Sequence, residues 1–355
     1  MKIKFEHLGI IESGEVEVKP LTVLCGPNNS GKTYLMYALY GLLDKDFNIR
    51  FSFVKNLIYQ AKNKGICHFS IKELLHNNIN SIIASIEDNF IKCLPTLFST
   101  TEDTFSNTKV QLSNLNLDKT IENIKNTEWD YFLNLANKKM VYELIKDKNS
   151  DKATLIILDG NTPTRILEKT LSNTLSLLLL PELVRYVFLL PAERTGINLF
   201  FRELNFQRTT ILHNTARGEI NAMAISRYPE PLADYINFLN QINELKNNKS
   251  YYHSFALELQ KEVLKGSFRI SKDMNIVFKP YPYKDTSLNL HLSSSTAKTF
   301  FGLWTYLKYV AQPNQCLMID EPELNLHPDN QRKLARILVR LANNGLTVII
   351  STHSD

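Results

Sequence analysis

The sequence predicts an α/β fold built around a mostly parallel sheet, and three stretches carry that expectation. Leu21-Thr22-Val23-Leu24-Cys25 is an apolar run of the kind buried on both faces of a parallel sheet, and after Gly31-Lys32-Thr33 it gives way to helical spacing. Cys316-Leu317-Met318-Ile319 and Leu346-Thr347-Val348-Ile349-Ile350 repeat this character near the other end, with a helical stretch between them. Sheet strands at both ends predict one head assembled from both, with large insertions between.

Taken in order, Ile3 and Phe5, then Val16 and Val18, alternate around Glu12-Ser13-Gly14, which predicts antiparallel strands joined by a turn. Leu35, Met36, Leu39 and Leu42 fall three or four apart, as on a helix packed against a sheet. From Phe51 to Leu180 the spacing is mainly helical, clearest at Ile71, Leu74, Leu75, Ile82 and Ile86, with short β pieces expected at Lys109–Leu112 and Thr154–Leu158. Arg185–Leu190 returns to a core strand and ends at Pro191-Ala192-Glu193-Arg194. A second largely helical region runs to about Lys265, followed by a hairpin from Phe268–Ile270 and Ile276–Phe278. A helix through Thr299, Phe301, Trp304 and Leu307 leads into the Cys316 strand; another carries Leu334, Ile337, Leu338 and Leu341 and stops at Gly345. The expected organisation is a head made of 1–50, 185–200 and 265–355, with insertions at 51–184 and 201–264.

The 355 residues, 44% hydrophobic and 22% charged, suit a globular protein with a sizeable core and exclude a disordered or disulfide scaffold. Cys25, Cys67, Cys93 and Cys316 form no CxxC pair, so structural zinc is not expected and a reduced, cytoplasmic setting is. The net charge of +5 (41 Lys+Arg minus 36 Asp+Glu) permits DNA binding without arguing for it. Lys138-Lys139 and Lys146-Asp147-Lys148 read as solvated helix faces rather than a nucleic-acid groove. The most apolar stretch, Leu175–Leu190, contains Pro181, Glu182 and Arg185 and lacks the roughly 20 apolar residues of a membrane helix. Met1-Lys2-Ile3-Lys4-Phe5 alternates polar and apolar as a strand would, so a signal peptide is not expected there.

Gly26-Pro27-Asn28-Asn29-Ser30-Gly31-Lys32-Thr33 matches GxxxxGK[ST] and lies between a predicted strand and a predicted helix, the context that gives the motif its meaning. In such a loop, backbone N–H groups and the helix N-terminus cradle phosphates; Lys32 reaches the β- and γ-phosphates and the Thr33 hydroxyl binds Mg²⁺. Asp320-Glu321 ends a buried strand. Asp320 is expected to hold Mg²⁺ and Glu321 to orient and deprotonate the attacking water. His353 ends the next strand at the same edge, where it can meet the γ-phosphate.

These segments resemble the ABC-type ATPases, in particular the branch of RecF, SMC and OLD (overcoming lysogenisation defect) proteins. The resemblance rests on the Gly26–Thr33 loop, on Leu292-Ser293-Ser294-Ser295, on Asp320-Glu321-Pro322-Glu323-Leu324-Asn325-Leu326-His327-Pro328 with Gln331, and on Ser351-Thr352-His353-Ser354. It implies a P-loop NTPase with an ABC-ATPase-like head, an N-terminal antiparallel β part, and ATP and Mg²⁺ as cofactors. It also implies a homodimer, with higher oligomers open, in which two heads enclose two ATP molecules. Ser293, Ser294 and Ser295 would then contact the γ-phosphate in trans, and Asn325 and His327 would lie in the loop at the interface. Serines at a helix start suit an anion. Two departures stand out: Ser295 occupies a position usually held by glycine, and Thr296 that of an acid or amide. No glutamine follows the Leu190 strand; the Pro-Ala-Glu-Arg string there also occurs in OLD-like ATPases, and it leaves Arg194 open between a nucleotide or interface role and a structural ion pair.

The resemblance therefore favours an ATPase whose dimerisation gates a partner or effector such as a nuclease, in the manner of phage-defence ATPases. The alternatives are a RecF- or SMC-like repair clamp on duplex DNA, which predicts salt-dependent DNA affinity, and the ATPase half of an OLD-type nuclease. The last needs a Toprim domain after His353, and Asp44-Lys45-Asp46 is misplaced for it. Because folds of this kind normally continue past the histidine, the chain ending at Asp355 is expected to be part of a longer protein. Mass spectrometry of the intact natural protein checks this, and a mass near 40.9 kDa removes it.

Overall fold

The computed structural model describes residues 1–44, 51–134, 140–181, 183, 185–216, 228–271, 273, 275–283 and 285–353, without the side chains of 207–216. Lys45, Asp46, Lys138, Lys139, Glu182, Ser354 and Asp355 lie outside the described residues.

At the amino end β1 (Lys2–Leu8) and β2 (Ile11–Glu17) pair antiparallel, with Phe5 opposite Gly14. The turn falls at Gly9-Ile10 rather than at Glu12-Ser13-Gly14, because Gly9 takes the left-handed conformation (φ 58) that the reversal needs, and residues 12–14 continue the strand. β3 (Leu21–Cys25) passes through the glycine loop into α1 (Lys32–Leu43), whose Met36, Leu39, Leu42 and Leu43 are fully buried.

The first insertion contains α2 (Val54–Lys64), β4 (Ile66–Ser70), α3 (Ile71–Leu97), β5 (Lys109–Ser113), α4 (Leu117–Lys125), β6 (Trp129–Asn134), β7 (Met140–Lys146), β8 (Lys152–Ile157) and α5 (Thr164–Leu179). Helix α3 starts where Ser70 caps it, its Oγ accepting from the Glu73 N–H at 3.2 Å. β5 alternates buried Val110 and Leu112 with exposed Lys109 and Gln111, and pairs with β1, so the insertion completes the N-terminal sheet.

A four-stranded antiparallel sheet in the order β4-β8-β7-β6 also stands in this segment, which the spacing had shown as mainly helical. Lys146, read as part of a solvated helix face, instead ends β7 with 1% of its surface exposed. Its ammonium, with three N–H donors, is surrounded by four carbonyls, those of Asp147 at 2.9 Å, Ser150 at 3.2 Å, Lys125 at 3.3 Å and Thr127. Those acceptors replace water around a charge that is otherwise expensive to bury, and burial pulls the lysine pKa down.

Further along come β9 (Val187–Leu190), α6 (Arg194–Ala216), α7 (Glu230–Asn240), α8 (Ile242–Leu245) and α9 (His253–Leu259). β10 (Gly266–Ile270), β11 (Ile276–Pro280) and the short β12 (Leu288–Asn289) form an antiparallel sheet with Phe268 opposite Phe278. The chain then runs through α10 (Ser295–Tyr309), β13 (Cys316–Asp320), α11 (Pro328–Asn343) and β14 (Thr347–Thr352).

The apolar runs from both ends meet in one parallel sheet, ordered β3-β14-β13-β9. Alternate residues of β13 face opposite layers. Cys316 and Met318 join the core that contains α1, while Leu317 and Ile319 join the core around Trp304, Leu334 and Leu338 of α10 and α11. All five β13 residues are buried. β3 differs from the expectation of two buried faces: among the described residues it is an edge strand with one neighbour, and Val23 is 51% exposed. All four cysteines are free. Among the described residues no helix is long and apolar enough to cross a membrane.

The fit of α10 against α7 depends on Gly302. A Cβ there would overlap the hydroxyl and ring of Tyr235, a buried side chain held by Asn198 at 2.7 Å. Alanine gains up to about 1 kcal/mol in helix propensity, but overpacking a closed core costs about 1–3 kcal/mol. Gly302→Ala is therefore expected to lower the urea midpoint, measured by circular dichroism.

Candidate functional site

The central sheet brings the predicted residues to one edge through its register. Leu24 is opposite Ser351 and Ser351 opposite Asp320, so the glycine loop, His353 and Glu321 leave three neighbouring strands at the same level. In the loop, Gly31 adopts φ 88 at the start of α1, and a Cβ there would lie 2.7 Å from Ile11 Cγ1. Asn29 also sits at positive φ (60), a region asparagine tolerates. Pro27, Asn28, Asn29 and Ser30 are exposed along the loop, while Gly26 is half-buried. No acidic residue occupies the first turn of α1, which leaves its positive end open to an anion.

Lys32 Nζ donates to the carbonyls of Gly26 at 2.8 Å and Pro27 at 2.7 Å, and lies 3.0 Å from His353 Nδ1. The other ring nitrogen, Nε2, is 2.6 Å from Glu321 Oε1. A lysine ammonium can only donate, so Nδ1 accepts and Nε2 carries the hydrogen toward the carboxylate. Lys32, His353 and Glu321 thus form a continuous polar chain across the edge.

Asp320, 3% exposed, accepts from Thr33 Oγ1 at 3.1 Å on one carboxylate oxygen and from Ser351 Oγ on the other. Burial pushes its pKa up, against the pull of both hydroxyls. Two hard oxygen donors, one hydroxyl and one buried carboxylate, fit Mg²⁺, which takes few protein ligands and fills its octahedron with water and substrate phosphate. No group of three His, Cys, Asp or Glu able to hold a metal exists among the described residues.

The loop after β13 is folded tightly. Glu321 adopts φ 52, a left-handed conformation that costs a non-glycine residue about 1–3 kcal/mol unless its surroundings hold it. Its N–H donates to Ser351 O at 2.9 Å. Glu323 ties the same loop to the end of β14, its Oε1 accepting from Thr352 Oγ1 at 2.7 Å and from the His353 N–H at 2.9 Å. Arg194, at the start of α6 and fully buried, donates through Nη1 to the carbonyls of Asp320 at 2.6 Å and Pro191 at 2.9 Å, and through Nη2 to that of Glu321 at 2.6 Å. Burial lowers its pKa to about 10. The guanidinium meets backbone carbonyls, not a carboxylate partner.

The serines divide. Ser293 is buried and its hydroxyl donates to Leu290 O at 2.6 Å, while Ser294 and Ser295 are exposed at the start of α10 and Ser294 accepts from the Ala297 N–H at 3.2 Å. Asn325 (φ 58) belongs to this second cluster: its Nδ2 donates to Thr299 Oγ1 at 3.0 Å and its carbonyl accepts from Thr296 Oγ1 at 3.0 Å. His327 caps α11. Sequence reasoning missed the work of Ser351, Glu323 and the Arg194 fork; the available signals were the second carboxylate in Asp-Glu-Pro-Glu and the Pro-Ala-Glu-Arg string.

A glycine loop facing a strand-borne aspartate across one edge of a parallel sheet places the protein among the phosphate-loop nucleotide-binding proteins. The profile of the AAA ATPase domain matches residues 1–355, and the chain belongs to that family. Among solved structures, an SMC head domain from Thermotoga maritima is similar at 12% identity, over 99% of this chain and 88% of that one, with a TM-score of 0.35. An SMC head bound to the C-winged helix domain of ScpA is similar at 12% identity, over 100% and 90%, with a TM-score of 0.37. Likeness at that level adds nothing to the fold described above. No curated protein sequence matches the chain.

Burial raises the Glu323 pKa, but the His353 and Glu323 N–H groups and the Thr352 hydroxyl outweigh it, so the value falls below the ordinary 4.5. Its stabilisation is then present above pH 4.5 and lost as pH falls through the lower folded value. Glu323→Gln is expected to reduce stability at pH 7 by about 1–3 kcal/mol, with the gap to wild type narrowing below pH 4.5; a gap that stays constant in urea titrations from pH 7 to pH 3 contradicts the assignment.

Proposed function

We propose that the chain binds and hydrolyses ATP at the edge formed by the glycine loop, Asp320, Glu321 and His353, and that two copies close head to tail around two ATP molecules to gate an effector protein. The contact of the Thr33 hydroxyl with Asp320, beside the Lys32–His353–Glu321 chain, is the observation that supports this most directly. Lys32 leaves the Gly26 and Pro27 carbonyls to bind the β- and γ-phosphates, and the backbone N–H groups from Asn28 to Thr33 surround them. Thr33 and Asp320 hold Mg²⁺, which when bound supplies charge neutralisation on the phosphates. Glu321 orients a water and accepts its proton, while His353 steadies the carboxylate through Nε2–H and turns that same N–H to the γ-phosphate when nucleotide enters.

In the dimer, the segment that faces the partner's loop is the start of α10. Ser293 has given its hydroxyl to Leu290, so the contact falls to Ser294 and Ser295, with Asn325 bracing the helix start. A cytoplasmic setting, which the four free cysteines support, completes the proposal together with a nuclease-type effector and a role in antiviral defence, and these last two rest on the resemblance to OLD-like ATPases alone.

Glu321→Gln is expected to keep ATP binding, lose about 10²–10⁴-fold in kcat and accumulate an ATP-dependent dimer in analytical ultracentrifugation. Lys32→Ala is expected to lose nucleotide affinity. Phosphate release at the wild-type rate from the glutamine variant would falsify Glu321 as the base.

A further inference from the structure

Arg194 is the largest buried charged group at this edge, and the chemistry proposed above does not use it. Its side chain is fully buried, lies 5.9 Å from the Phe300 ring, and leaves Nε without a hydrogen-bond partner among the described residues. Such a group is costly to retain for packing alone. Both terminal nitrogens point at consecutive carbonyls, those of Asp320 and Glu321. Consecutive carbonyls point to opposite sides of an extended chain and come to one side where the residue between them leaves the extended region, as Glu321 does with its left-handed φ of 52. Pro322 follows and has no N–H to offer the loop. The fork therefore opposes relaxation of Glu321 to an extended conformation, which would swing its carboxylate away from His353 Nε2.

The same arginine opens α6, which is tied to α10 by Thr195 on Thr299 at 2.9 Å and by Asn198 Nδ2 on Lys298 O at 2.7 Å. We infer that Arg194 is a positioning residue for the hydrolytic step: its guanidinium fork on the Asp320 and Glu321 carbonyls holds the Glu321 backbone in the conformation that presents the carboxylate for proton abstraction. Its contacts are with backbone carbonyls, so it acts through the Glu321 backbone. The inference rests on Glu321 being the base.

The test is a kinetic double-mutant cycle on the full chain with MgATP. Lysine keeps the buried charge but cannot span both carbonyls with one planar group. Arg194→Lys is expected to lower kcat about tenfold or more while the dissociation constant of a fluorescent ATP analogue stays within about threefold; Arg194→Met should lower kcat further. In the Glu321→Gln background, Arg194→Lys should leave the residual rate unchanged, because it acts through a base no longer present. A merely structural arginine would lower the residual rate by the same factor as in wild type, and that result overturns the inference. So would a wild-type kcat in Arg194→Met, a parallel loss of nucleotide affinity, or failure of both single variants to fold. Failure of the underlying function is distinct: wild type would then show no phosphate release, and Glu321→Gln no change.

Discussion

The alignment of Leu24, Ser351 and Asp320 across three parallel strands is the constraint on which the site depends. In a parallel sheet every strand ends its carboxyl side on one edge, so loops from distant parts of the chain converge without long excursions. Here that brings residue 32 within hydrogen-bond reach of residue 353, and residue 33 of residue 320. A one-residue slip of β13 against β14 would move Asp320 off Ser351 and turn its side chain to the other face. The apolar alternation of β13 between the two cores resists such a slip, since Leu317 and Ile319 would exchange layers with Cys316 and Met318.

Around that edge, buried and half-buried polar groups do the shaping that apolar packing cannot. Asp320 is held by two hydroxyls, Glu323 by a hydroxyl and a backbone N–H, and Arg194 by three carbonyls. Each replaces lost water with directed partners, and each joins segments far apart in sequence. Glu321 is the half-buried outer end of this scaffold, its backbone fixed from behind and its carboxylate on His353 Nε2. Lys146 repeats the device in the insertion, where four carbonyls surround an ammonium and join the end of β7 to the loops beside it.

Much of the head was legible because its elements announce themselves locally. The apolar runs at Cys316 and Leu346 and the helical spacings after Thr33 and Pro328 all form where expected. The antiparallel sheet of β4, β8, β7 and β6 was harder to read. β6, with Asp130, Tyr131 and Phe132 all exposed, shows no clean alternation, and β7 ends in a buried lysine that reads as surface. The turn between β1 and β2 was misplaced for a related reason: Gly9 and Gly14 look equivalent in sequence, and only the pairing of Phe5 with Gly14 distinguishes them.

The sequence by itself determined the glycine loop, its lysine and threonine, the paired carboxylates and the histidine, because these depend on residue type and on short spacing along one strand or turn. Tertiary structure alone decided what each one faces. That Ser293 turns inward while Ser294 and Ser295 stay outside, that Arg194 grips carbonyls more than a hundred residues away, and that Lys32 rests on His353 all follow from strand register and from the need of buried polar atoms for partners. No local pattern carries that information, since those partners are chosen by the packing of the whole head.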